Sequence, residues 1–214
     1  MVLKLYGSKV STCTKRVAVV LHEKKVPFEL IDIDFAKGEN KSPEFLKHQP
    51  FGQVPYIDDD GFILYESRAI SYYIASKYPN QGTPLIPSEL KANALFMQAS
   101  STETAAFNDY AEKAVAETVF KPYHGLIPDK AVFDKLIAGL GAKLDVYDKI
   151  LSKQKYLAGD EITLADLYHL PYGSMLPVAG SNIIETKPNV KRWFEDLTSR
   201  SSWQAVKDGV NSTV

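Results

Sequence analysis

Pro50-Phe51-Gly52-Gln53-Val54-Pro55, followed after ten residues by Glu66-Ser67-Arg68-Ala69-Ile70, is the stretch on which the reading of this chain turns. The first piece ends in X-Pro, which restricts the preceding residue to extended or turn backbone. It leads straight into an apolar, strand-like run from Val54 to Ile57. The second piece places an acid and a hydroxyl at the start of a helix-patterned segment. A tight X-Pro turn offers edge backbone groups, and a helix N-terminus offers free N–H groups and the positive end of the helix dipole. Side by side, they make a docking surface for a small, charged, peptide-like ligand.

The elements around this stretch follow a pattern. Residues 2–6 form a short apolar strand, and residues 12–24 carry Val17, Val20 and Leu21 at helical spacing. Pro27 stops that helix, and Phe28 to Ile33 form a second strand. Residues 35–50 are polar and punctuated by Gly and Pro, with room for one short helix near Pro43 to Leu46. Two strands, Val54 to Ile57 and Phe62 to Tyr65, flank Asp58-Asp59-Asp60-Gly61, a hairpin signature with Asp60-Gly61 at the turn. Glu66 to Tyr78 is a strong helix. The order is β-α-β, a loop, then β-β-α.

Pro79-Asn80-Gln81-Gly82-Thr83-Pro84 is a cluster of breakers, with Pro87 close behind. No clear strand follows. Long helical patterns run over about 88–120, 129–151 and 163–175, with shorter ones over about 188–199 and 201–210. This shift predicts a first domain over 1–78, a linker over 79–87 and an all-helical domain over 88–214. Thr163-Leu164-Ala165-Asp166 reads as a capping box with Ile162 and Leu167 at the staple positions, a folding signal without chemistry of its own.

The bulk numbers narrow the function. The chain has 214 residues, 45% of them hydrophobic and 24% charged, ordinary for a globular protein with a substantial core. A net charge of −1 gives no electrostatic pull toward nucleic acid or an anionic membrane. No apolar run reaches the roughly 18–20 residues of a membrane span. The opening residues read as a strand and not as a signal peptide. One cysteine, Cys13, excludes an internal disulfide framework and suits a reducing compartment, most simply the cytoplasm.

Taken together, Ser11-Thr12 before a helix, Pro50-Phe51-Gly52-Gln53-Val54-Pro55, Glu66-Ser67-Arg68-Ala69-Ile70, and Leu157-Ala158-Gly159-Asp160 running into Thr163-Leu164-Ala165-Asp166-Leu167 resemble a cytosolic glutathione transferase over nearly the whole chain. The serine just after the first strand, the Phe-Gly-Gln-Val-Pro turn and the Glu-Ser-Arg-Ala-Ile helix start look most like the phi class, known chiefly from plants and fungi. The resemblance implies a thioredoxin-like N-terminal domain of α/β type followed by a C-terminal helical bundle. It also implies a homodimer, in which the N-terminal domain of one subunit packs on the helical domain of the other. Glutathione would be a co-substrate, with no cofactor besides it and no metal.

Glutathione reacts as a thiolate, so the chemical problem is to stabilise a sulfur anion. A hydroxyl donating to sulfur does this, as do the N–H groups at a helix end. Ser11 sits where the first strand turns into the first helix, either as the catalytic hydroxyl or as a plain N-cap. Thr12 is the neighbouring rival for that role. Cys13, two residues on and expected on another face, is either a nucleophile for thiol transfer or a small packing residue. Arg16, one turn beyond Thr12, either supports the site or is a surface charge.

The remaining assignments follow from the resemblance. Glu66 and Ser67 would engage the γ-glutamyl end, with helix capping as the alternative. Val54, before a cis Val54–Pro55 bond, would offer its backbone to the cysteinyl unit like one more strand. Gln53 would reach the ligand backbone. Lys41 would meet the glycyl carboxylate, with a weaker contact from Asn40 and less certain help from Lys37 and His48. An apolar pocket between the domains would take the electrophile, with Phe35, Phe107, Tyr110, Phe120 and Tyr123 as candidates.

The expected function is conjugation of glutathione to hydrophobic electrophiles, extending to reduction of organic hydroperoxides. The rivals are a non-catalytic carrier of aromatic metabolites, an interaction module, and a Cys13-dependent thiol transferase.

Overall fold

The computed structural model describes residues 2–214. Met1, with which the expected first domain begins, lies outside them. The contacts divide the chain into two compact units, one of residues up to Ile86 together with Arg200–Val214, the other Pro87–Ser199.

The first unit is built on a four-stranded sheet in the order β2-β1-β3-β4. Strand β1 (Leu3–Gly7) feeds helix α1 (Thr12–Glu23), which crosses over to β2 (Phe28–Asp32), parallel to β1. A parallel pair needs such a crossover, and a helix supplies it. A 3₁₀ turn over Glu39–Lys41 and helix α2 (Pro43–His48) lead to the hairpin of β3 (Tyr56–Asp59) and β4 (Phe62–Tyr65). Strand β3 pairs antiparallel with both β1 and β4. The strand expected from Val54 begins two residues later, at Tyr56, because Val54 and Pro55 belong to the turn. Helix α3 (Ser67–Lys77) packs beside α1. Leu3, Leu5, Val17, Leu21, Phe28, Ile57, Ile70 and Ile74 are buried and form the interior.

Gly7 shows how close that packing is. A Cβ there would come within 2.5 Å of Thr14 Oγ1, so α1 can lie against the end of β1 only because residue 7 has no side chain. That approach sets the N-terminus of α1 at the rim of the sheet.

The second unit is helical throughout. Helix α4 (Leu90–Thr102), α5 (Asp109–Val115) and α6 (Lys121–Tyr123) are joined by π-helical turns over Glu103–Asn108 and Ala116–Phe120. The single helix expected over 88–120 is therefore a helical run with two wide turns, each an i→i+5 widening that periodicity alone does not reveal. Helix α7 (Lys130–Leu151) is the longest element. Helix α8 (Leu164–Leu167) begins with the capping box, in which Asp166 accepts from Thr163 N at 2.9 Å and Thr163 Oγ1 at 3.0 Å. Asp166 also takes Leu157 N and Trp193 Nε1, each at 3.0 Å, so one buried carboxylate ties together three segments. Helix α9 (Leu170–Ala179), a 3₁₀ turn over Ile183–Thr186 and α10 (Pro188–Ser199) complete the unit.

The last residues differ from expectation. The helix expected over 201–210 is only the short α11 (Ser201–Gln204), and the chain from Arg200 onward belongs by its contacts to the first unit. Glu23 accepts Arg200 Nε at 2.6 Å and Nη2 at 2.9 Å, and also the Ser202 hydroxyl. Further on, Val210 N bonds to Lys9 O, and Thr213 bonds to Phe28 N through Oγ1 and to Phe28 O through its own N–H. The N–H groups of Val210 and Thr213 are committed to the loop after β1 and to β2, which draws the end of the chain out of helix. Among the described residues, no helix is long and apolar enough to cross a membrane.

Candidate functional site

A cavity of about 250 Å³, counting its open mouth, lies wholly within the first unit. Cys13, Gln49, Gln53, Val54, Pro55, Glu66 and Ser67 line it. Two walls and a floor meet there: the loop before β3, the start of α3 and the first turn of α1.

The loop wall is built by its neighbours. Gln49 is 2% exposed, and its Oε1 accepts Gln53 N at 3.1 Å. Gly52 has φ +63°, and a Cβ on it would meet Lys41 Nζ at 2.6 Å and Asn40 O at 2.9 Å. Lys41 Nζ donates to Phe51 O at 3.1 Å, and Asn40 Nδ2 donates to Gly52 O at 2.8 Å. Asn40 and Lys41 thus tie down the loop backbone, and neither is among the residues lining the cavity. The Val54–Pro55 bond is cis. Tyr56, just beyond, is buried among Phe45, Tyr6 and His48, and burial pushes its phenol up to about 12, so its hydroxyl stays neutral.

The second wall begins at Glu66, whose φ of 71° is unusual for a residue with a side chain. Holding such a conformation costs on the order of 1–3 kcal/mol, and surrounding structure must enforce it. Glu66 is the N-cap of α3 yet its side chain makes no capping bond, so its carboxylate is not spent on the helix. Ser67 follows, buried, with its Oγ accepting Arg16 Nη1 at 3.0 Å.

On α1, Ser11 is the N-cap, with its Oγ accepting Thr14 N at 3.3 Å. A hydroxyl has one donor and two lone pairs, so capping leaves its proton free to give. Capping and donation are therefore compatible roles for Ser11. Neither Ser11 nor the buried Thr12 is in the lining of this cavity, whereas Cys13 is. Cys13 thus faces a different way from Ser11, and it is the Cys13 side that opens on this cavity. Cys13 and Arg16 are three apart and share one side of the helix. Arg16 Nη1 lies 3.4 Å from Cys13 Sγ as it reaches for Ser67, so that side faces the start of α3.

The other candidates are scattered. Lys37 pairs with Asp34 at the surface, and His48 stacks on Tyr56. Phe35 is exposed, and Tyr123 is 81% exposed. Tyr110 lays its ring over Gly139 of α7, and Phe120 ends a π-helical turn, half-buried. Phe107 is 1% exposed, with its ring 4.5 Å from that of His169, which makes it a core residue of the helical unit and removes it from the electrophile candidates. Gln49 was missed altogether. Its only signal in the sequence was its place directly before the Pro50 turn.

A mixed four-stranded sheet flanked by helices, with a cis-Pro loop facing two helix N-termini and an all-helical region beyond, is the glutathione transferase fold. The comparisons agree. The family model for the glutathione S-transferase N-terminal domain matches residues 1–76, and that for the C-terminal domain matches residues 104–201. Glutathione S-transferase hmp2 of Hypomyces subiculosus is 48% identical over 207 residues, spanning 95% of this chain and 96% of that protein. Glutathione transferase F7 from Populus trichocarpa superposes with a TM-score of 0.94 at 43% identity, covering 98% of this chain and all of that one. Glutathione S-transferase I from maize, solved with an atrazine glutathione conjugate, gives a TM-score of 0.88 at 33% identity, with 97% of each chain covered. The chain belongs to the glutathione S-transferase family, in its phi class, and is a transferase.

Proposed function

We propose that the cavity binds glutathione and that the Ser11 hydroxyl, with the N-terminus of α1, holds its sulfur as a thiolate for attack on hydrophobic electrophiles. The observation that carries this reading is the convergence of Gln53, Val54, Glu66 and Ser67 on one cavity at the first turn of α1. Glu66 takes the γ-glutamyl ammonium, and Ser67 the adjacent carboxylate. Val54 pairs its backbone N–H and C=O with the cysteinyl unit, as a strand would. Lys41 has three donors and spends one on Phe51 O, which leaves donors for the glycyl carboxylate. Asn40 is already engaged with Gly52 O and contributes less.

In the reaction, the thiolate forms a carbon–sulfur bond and an aryl halide releases halide. With an organic hydroperoxide, the thiolate attacks the terminal oxygen and releases the alcohol. A second glutathione then converts the sulfenic acid to glutathione disulfide and water. Phe35, Tyr110, Phe120 and Tyr123 remain the candidates for contact with the electrophile. We further propose a cytoplasmic homodimer, supported by exposed apolar side chains on the first unit such as Phe51, at 63% exposure, and Phe62.

Cys13 in the cavity lining favours a second reading, thiol transfer through a Cys13–glutathione mixed disulfide. Both are tested by assaying the protein and Cys13→Ser in parallel on an aryl halide, a hydroperoxide and a mixed glutathione disulfide. The first reading predicts conjugation largely retained in Cys13→Ser, because the near-isosteric hydroxyl takes no part in holding the thiolate. Loss of all activity, with glutathione trapped on Cys13 by mass spectrometry, establishes the second. Tight binding without turnover on any substrate makes the protein a carrier.

A further inference from the structure

Arg16 has no part in the chemistry assigned so far, yet it is 1% exposed and among the largest fully buried side chains. It lies behind the cavity wall, with Nη1 3.0 Å from Ser67 Oγ. The backbone at Ser67 is fixed from its other side, where Ser71 Oγ donates to Ser67 O at 2.8 Å. A guanidinium donates and never accepts. Ser67 Oγ therefore uses a lone pair on Arg16, and its single proton cannot point back along that bond. Ser67 lines the cavity, so the free arc of its hydroxyl rotation includes the cavity side.

We propose that Arg16 is a positioning residue: it fixes Ser67 as a hydrogen-bond donor into the cavity and thereby selects ligands that carry a carboxylate at the γ-glutamyl end. The proposal rests on the reading of the cavity as a glutathione site. Without Arg16 the Ser67 hydroxyl can rotate and accept as readily as donate, so the preference for an anion weakens.

The test compares glutathione with its analogue lacking the γ-glutamyl α-carboxylate, 4-aminobutyryl-cysteinyl-glycine. Dissociation constants and steady-state kinetics are measured on the full chain for the unmodified protein, Arg16→Lys, Arg16→Met, Ser67→Ala and the Arg16→Met/Ser67→Ala pair. Hydrogen bonds to charged groups correspond to about 10–100-fold in affinity, which is the preference for glutathione expected of the unmodified protein. Arg16→Met should cut that preference about tenfold, through a raised glutathione Kd and KM with the analogue little affected. Arg16→Lys, which keeps a charge and a donor, should recover part of it. Ser67→Ala should cause the same loss, and the pair should lose no more than either alone. If Arg16→Met does not fold, Arg16→Lys and Ser67→Ala carry the comparison, and an undiminished preference in both overturns the proposal. Equal weakening of both ligands in the Arg16 variants, or losses that multiply in the pair, also overturns it. An unmodified protein that binds neither ligand overturns the glutathione reading itself.

Discussion

Gly52 sits at a point where backbone and binding chemistry meet. Its φ of +63° and the nearness of Lys41 Nζ and Asn40 O leave no room for a methyl group. Gly52→Ala should therefore shift Lys41 and Asn40 along with the loop. We expect a loss of about 1–2 kcal/mol from the left-handed backbone, near 2–8 °C in Tm. The glutathione KM should rise several-fold. Thermal unfolding and steady-state kinetics check both, and an Ala variant equal to the parent in both would show that the loop does not depend on residue 52. At this scale much was legible: the Pro50–Pro55 turn and the Glu66-Ser67 helix start read as a docking surface, the family resemblance singled out Gln53, Val54, Pro55, Glu66 and Ser67 within them, and these share one cavity. Cys13 and Gln49 were not. Their roles depend on which way a side chain turns in the first helical turn or inside a loop, and no periodicity encodes that.

Among the elements, the C-terminal tail makes the plainest physical case. Strand β2 is an edge of the sheet, and exposed edges invite pairing with other chains. The tail covers it: Ser212 Oγ accepts Leu30 N and Thr213 Oγ1 accepts Phe28 N, each at 2.9 Å, while Thr213 N donates to Phe28 O at 3.0 Å. Deleting residues 210–214 should cost about 2–4 kcal/mol, from four hydrogen bonds, the Val210 N–Lys9 O bond among them, and the burial of Val210. It should also promote concentration-dependent aggregation. Calorimetry and light scattering measure the two, and a shortened chain with unaltered Tm and no aggregation would deny the tail this role.

Glu23 anchors the same tail at its start. Burial opposes its charge, but the bonds from Arg200, Ser202 and Thr83 outweigh that and hold its carboxyl below the usual range. A lowered folded-state pKa stabilises the fold above the unfolded value of about 4.3, and the contribution fades as pH falls through the folded value. Glu23→Gln should be less stable than the parent near pH 7, by the roughly 3 kcal/mol typical of breaking a buried ion pair, and the gap should narrow only as pH falls from the unfolded value through the lower folded one. Denaturant unfolding across that range decides it, and a gap that stays constant with pH would contradict the assignment. Strands, crossover helix and hairpin were readable from pattern. The π-helical turns and the returning tail were not, because the first leave the apolar period nearly intact and the second is decided by contacts some 180 residues away in sequence.

The whole molecule combines a sheet-based unit that contains the entire cavity proposed for glutathione with a helical unit that has its own core. Phe51, Phe62 and Tyr72 leave apolar surface exposed on the first unit, which a two-fold partner would cover. Light scattering should give twice the chain mass of 23.8 kDa, and a species at 23.8 kDa under assay conditions would refute the dimer while leaving the cavity intact.

If Ser11 lowers the cost of ionising glutathione's sulfur, as proposed, the bound thiol should show it. This central claim is tested most directly by following the ultraviolet absorbance of the bound thiolate against pH, in the parent and in Ser11→Ala. The substitution also removes an N-cap, worth about 1 kcal/mol, so each protein's unfolding is recorded alongside. The account predicts a bound thiol that ionises at least one unit below a free cysteine's ~8.5 in the parent. In Ser11→Ala it should return toward the free value, with turnover reduced on the order of 100-fold and glutathione still bound. Identical ionisation curves for the two folded, glutathione-bound proteins would contradict it.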